Sequence, residues 1–166
     1  MLGVAVVNVA EEVQNDVNEI DTMAEAMSLY ANMDHDRMVE VASALGIPAK
    51  KHLDSKNPNG LKITLYKEYV NNTTPSMDGK TTKQEQFIQY AKLTDRDLTL
   101  MQLIKQGKNL GLIRPRYKQG NFIFDGVEMI GVNNELKCIE WFKEQSNYDK
   151  LQTLQDKVHK NLNKAE

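Results

Sequence analysis

Residues 113 to 131, IRPRYKQGNFIFDGVEMIG, decide how this chain of 166 residues is read, because they set a β-hairpin signal inside a sequence that otherwise repeats with helical period. Asp125-Gly126 is the turn pair of a type I′ hairpin, whose geometry requires positive φ at both central positions. In that register Phe124 opposes Val127 and Phe122 opposes Met129 on one face, while Ile123 opposes Glu128 on the other. The first face is apolar and is read as core. Residues 112 to 117 read as a further strand joined to the hairpin through Lys118-Gln119-Gly120, and Pro115, which has no N–H to donate, restricts that strand to a sheet edge. Arg114, Arg116 and Lys118 stand just ahead of the hairpin. The stretch is therefore either a basic wing that touches nucleic acid or a small sheet that holds helices together.

Working outward, the flanking segments are helical. Thr94 followed by Asp97 resembles a capping box and opens a helix over 95 to 109 through Leu98, Met101, Leu103 and Ile104, with Gly111 ending it. Beyond Gly131, Asn133 or Asn134 caps a helix with Leu136, Ile139, Trp141 and Phe142. After a bend at Ser146-Asn147, the spacing of Leu151, Leu154, Val158 and Leu162 continues helical to the C-terminus.

Towards the N-terminus, LKITLYKEYV (61 to 70) admits a strand through Leu61, Ile63 and Leu65 or a helix through Leu61, Leu65, Tyr66 and Tyr69, and the longer apolar face favours the helix. Asp34 caps a helix through Met38, Val41, Ala42 and Leu45, closed by Gly46, Ile47 and Pro48. The clearest period comes first. Val6, Ala10, Val13, Val17, Ile20, Ala24, Met27 and Ala31 follow the 3/4 alternation of a helix from about residue 9 to 31 with a narrow apolar seam.

The fold class is thus mainly α with one small antiparallel β-hairpin. Residues 71 to 82, NNTTPSMDGKTT, lack any apolar period and are rich in turn formers. The expected organisation is a helical module over 1 to 72, a linker over 73 to 82, and a module of helices, hairpin and C-terminal helix over 83 to 166. A 40% hydrophobic content suffices to bury a core, and no window approaches the length of a bilayer span. The start lacks the basic region of a secretory signal, so an intracellular site is expected, or a virion if the source is viral. Lysine at 17 against arginine at 4, with 15 asparagines, is the bias of an AT-rich genome such as that of a bacteriophage or low-GC host.

The net charge of −2 conceals strong segregation: residues 1 to 45 carry −8, residues 46 to 120 carry +8, and the remainder −2. Charge sorted in this way fits a basic region that meets an anion, or acidic and basic segments that face each other within a fold or across subunits. The first helix carries Glu11, Glu12, Asp16, Glu19, Asp21 and Glu25 with no lysine, so a parallel homodimer along its seam would set acid against acid. A partner on Val13, Val17, Ile20, Ala24 and Met27 would be basic or neutral. The alternative is a helix packed on its own domain.

No catalytic, cofactor or metal motif is present. Asp34-His35-Asp36 falls at a helix start, where acids satisfy free N–H groups. The single Cys138 lies within an apolar helix, and GKNLG at 107 to 111 lacks phosphate-loop spacing. The chain is read as non-enzymatic.

The order helix, helix, cation-bearing strand, DG hairpin and helix over 83 to 145 resembles a winged helix. That resemblance implies Lys105 and Lys108 on a groove-entering helix, with Arg114, Arg116 and Lys118 on phosphate. Residues 36 to 70, with Ala44-Leu45-Gly46-Ile47, the extension bearing Lys50 and Lys51, and a helix near Leu61, resemble helix-extension-helix modules of the SAP and Rho N-terminal type. This second resemblance implies nucleic-acid contacts by Lys50, Lys51, His52, Lys56 and Lys62. The expected function is a nucleic-acid-associated factor, binding DNA or RNA through its basic middle and protein through its acidic first helix. The alternative is an assembly protein, such as a virion component, acting through protein contacts alone.

Overall fold

The computed structural model describes residues 2 to 48, 59 to 77, 79 to 118 and 120 to 164, with side chains described from residue 11 onward. The chain is mainly helical with a three-stranded antiparallel sheet, and it divides into two compact units, Met1–Lys92 and Leu93–Glu166.

The first unit holds α1 (Leu2–Ala31), α2 (His35–Leu45), α3 (Gly60–Leu65) and α4 (Lys83–Ala91). Asp34 caps α2 by accepting from the Arg37 N–H at 2.8 Å. At the other end Gly46, at φ 90°, donates to Ser43 O and Ile47 donates to Ala42 O, a Schellman closure that leaves Ile47 buried. The segment 61 to 70 is helical, as expected, but α3 widens into a single π turn over Tyr66–Val70, marked by the Asn71 N–H donating to Tyr66 O at 2.8 Å. That turn stays satisfied because the buried Gln84 of α4 donates its Nε2 to Val70 O at 2.8 Å.

α4 is the hub of this unit, with α1, α2 and the π turn all packed on it. Phe87, Leu61, Leu65, Val41 and Ala42 fill the space between them.

Residues 73 to 82 are not a boundary between modules. Ser76 donates its N–H to Thr81 O, Lys83 to Thr74 O and Gln84 to Asn72 O, so the segment folds back as an integral loop of the first unit. The division falls instead between Lys92 and Leu93, and α4 belongs with the helices before it. A stretch without an apolar period signals a loop, and backbone hydrogen bonds can still hold it in place.

The second unit is built around α5 (Asp95–Asn109), which packs against the strand β1 (Ile113–Pro115) and the helices α6 (Glu135–Lys143) and α7 (Tyr148–Lys164). Thr94 caps α5 by accepting from the Asp97 N–H, and Gly111 closes it in the same manner as Gly46 closes α2. The strands β2 (Phe122–Phe124) and β3 (Val127–Met129) form the hairpin in the expected register, with Asp125 at φ 52° and Gly126 at φ 73°. β1 is an edge strand, as expected, pairing Ile113 with Phe124 and Arg114 with Ile123.

Phe122, Phe124 and Met129 are buried, and Phe124 meets Phe142 of α6 edge-on at 5.7 Å. Val127, expected on the same core face, is 41% exposed. It lies beside the turn on the edge strand β3, whereas Phe124 opposite it on the central strand is buried. The turn itself is clamped by α7, since Asp125 accepts from Lys150 at 2.9 Å and Lys157 at 3.2 Å. Those two hydrogen bonds hold its carboxyl below the usual aspartate range.

Candidate functional site

Two surfaces carry the side chains expected to be functional. The first is the seam of α1. Every side chain from Glu11 to Asp21 is exposed, and the helix makes its contacts with α4 and the π turn farther along. There Ala26 is fully buried, Met23 accepts from Gln84 through sulfur, Tyr30 donates to Lys62 O at 3.1 Å, and Glu25 pairs with Lys92.

Ala26 does not belong to the predicted stripe. The residues that do belong to it remain uncovered: Val13 is 58% exposed, Val17 44%, Ile20 67% and Met27 37%, with Ala24 also exposed. The side chains of Val6 and Ala10 lie outside the description. Among the described residues, Glu11, Glu12, Asp16, Glu19 and Asp21 have no cationic partner. α1 thus presents an apolar stripe edged by acids that have no cationic partner among the described residues.

The second surface is the set of cations assigned to phosphate. Lys50, Lys51, His52 and Lys56 lie outside the described residues. Lys62 is exposed, with its ammonium 5.8 Å from the centre of the Tyr30 ring. Lys105 and Lys108 are not displayed on α5 as a pair of free charges. Both bond Glu135 on α6, at 2.8 and 2.7 Å, and Lys108 also lies 5.4 Å from the Phe122 ring centre.

The Glu135 side chain is only 14% exposed. Burial alone would raise its pKa, but the two ammonium groups outweigh burial and hold it below the ordinary glutamate range. This cluster ties α5 to α6, and no reading of cation runs pointed to Glu135. The only available signal was its place one residue after the capping Asn134.

On β1 and just beyond it, Arg116 stacks near Tyr117 and bonds Glu128 at 2.6 Å, while Arg114 and Lys118 are exposed and have no ion-pair partner among the described residues. Of the order that resembles a winged helix, α5, β1 and the hairpin share the second unit, whereas α4 lies in the first.

Chemistry elsewhere is sparse. Cys138 is fully buried in α6, and its thiol is pushed up to about 12 by burial and by the charge of Glu135. A thiol in that state stays protonated and is a poor nucleophile. Among the described residues no group of three or more His, Cys, Asp or Glu is placed to hold a metal ion, and no helix is long and apolar enough to cross a membrane. Comparison of the chain with protein-family models, with curated proteins and with solved structures finds no match.

Proposed function

We propose that this chain is a non-enzymatic assembly factor that docks another protein along the seam of α1. The observation that carries this reading is the exposure of Val13, Val17 and Ile20 at heptad spacing on a helix whose packing contacts lie elsewhere. Burying a Val or Ile side chain is worth about 1.5–3 kcal/mol, and α1 leaves roughly half of that unrealised at three successive stripe positions. The test is the double substitution Val17→Asp and Ile20→Asp. Because both side chains are exposed, circular dichroism and the thermal midpoint should stay unchanged while a partner co-purifying at fixed stoichiometry is lost. Retention of that partner by the variant overturns the reading.

A second reading is supported by Arg114 and Lys118, which stand exposed beside Arg116 and Tyr117. These groups suit sequence-independent contact with a nucleic-acid backbone, with an affinity that falls steeply with salt. Substituting Arg114, Arg116 and Lys118 together by Gln should weaken binding to a generic duplex or single strand and flatten its salt dependence. Absence of any binding at low salt removes this reading and leaves the first intact.

A further inference from the structure

We infer that the occupant of the α1 seam is an amphipathic helix flanked by lysine or arginine, and not a second copy of this chain; the inference rests on the docking reading above. With Val17 and Ala24 at a, and Val13, Ile20 and Met27 at d, the edge positions are Asp16 and Met23 at g and Gln14 and Asp21 at e.

In a parallel in-register dimer each g residue meets the e residue five places on in the other helix. Asp16 would then face Asp21 of the second copy on both sides of the seam. An antiparallel pair brings e against e and g against g. Crossing near Val13 and Val17 sets Asp16 against its own counterpart, and crossing near Ile20 and Ala24 does the same for Asp21.

The register between these two sets Val17 against Ile20 and Asp16 against Met23. Met23, however, is half-buried and accepts from Gln84, inside the packed part of the first unit. Every self-pairing also crowds Glu11, Glu12, Asp16, Glu19 and Asp21 of two chains along one rod, although no lysine or arginine precedes Arg37. Those charges lie well within a screening length of about 8–10 Å. A helix with cations at both edges removes the repulsion, and it contributes attraction at Asp16 and Asp21 in either direction.

The probes are three synthetic helical peptides of about three heptads. One carries Leu at a and d with Lys at e and g, the second has Glu in place of Lys, and the third keeps Lys but has Gln at a and d. Fluorescence anisotropy with the full chain should show the Lys-flanked peptide binding roughly tenfold more tightly than the Glu-flanked one at low salt, and the gap should narrow as salt rises. The Gln-seam peptide should bind weakly. The variant Asp16→Lys with Asp21→Lys should reverse the preference.

Equal binding of the two Leu peptides overturns the inference while leaving the seam as a docking surface. A dimer in sedimentation that Ile20→Asp abolishes does the same, by naming a second copy as occupant. Binding that survives Val17→Asp with Ile20→Asp, or that the Gln-seam peptide matches, overturns the docking reading itself. Failure of every peptide to bind overturns both.

Discussion

Glu135 sits where two lysines of one helix meet a carboxylate of another, and its contribution can be isolated by charge. Glu135→Gln leaves Lys105 and Lys108 facing a neutral group in a half-buried site. The expected cost is about 1–3 kcal/mol, below the figure for a fully buried pair because both ammonium groups retain some solvent. Urea unfolding should show this as a lower midpoint at neutral pH. The carboxyl has a folded pKa below its unfolded value, so its stabilisation is present above the ordinary glutamate pKa and is lost as pH falls through the depressed value. The difference between the two proteins should therefore shrink with acidification below about pH 4. None of this was legible from cation positions alone. Lys105 and Lys108 were visible on one helical face, but their counter-charge lies 30 and 27 residues away, across a sheet.

At the scale of elements, the helices were easier to read than their contacts. The end signals of α5, Thr94 with Asp97 and then Gly111, lie in the sequence next to the atoms they bond, so its bounds could be placed. The stripe on α1 was also visible, because periodicity shows which residues share a face. It could not show which face the rest of the unit covers, and Ala26, off the stripe, proves to be the buried one. Gly107 of α5 is a similar case. A Cβ there would stand 2.8 Å from Leu154 Cδ1 of α7 and 3.2 Å from Ile113 Cδ1, and both of those side chains are fully buried or nearly so. The missing side chain is what lets α7 and β1 approach α5. Gly107→Ala gains about 1 kcal/mol of helix propensity against an overpacking cost of about 1–3 kcal/mol. Gly107→Val forfeits most of that gain and adds bulk, so it should destabilise by about 2–3 kcal/mol, measured as a lowered urea midpoint.

For the whole molecule, the division into Met1–Lys92 and Leu93–Glu166 predicts that damage stays local. Gln84→Ala removes the partner of Val70 O within a buried site, at a cost of about 1–3 kcal/mol. Hydrogen exchange should show faster opening of amides in α2 and α4 with little change in α5 or α6, and Glu135→Gln should show the converse. Acceleration in both units by either variant would contradict the division. The position of the break was hidden in the sequence because only Lys92, Leu93 and Thr94 separate α4 from α5, with no shift in composition, whereas the turn-rich 71 to 82 drew attention away from it. The protein's sole tryptophan, Trp141, and its sole cysteine, Cys138, both lie on α6, with the indole edge-on to Phe142 at 5.0 Å and the thiol sealed from solvent. Tryptophan emission, as distinct from that of Tyr30, Tyr66, Tyr69 and Tyr90 in the first unit, and thiol labelling will therefore report the opening of the second unit alone. A melting curve followed by tryptophan emission can look like clean two-state behaviour while the first unit, with its seam, has already come apart unseen.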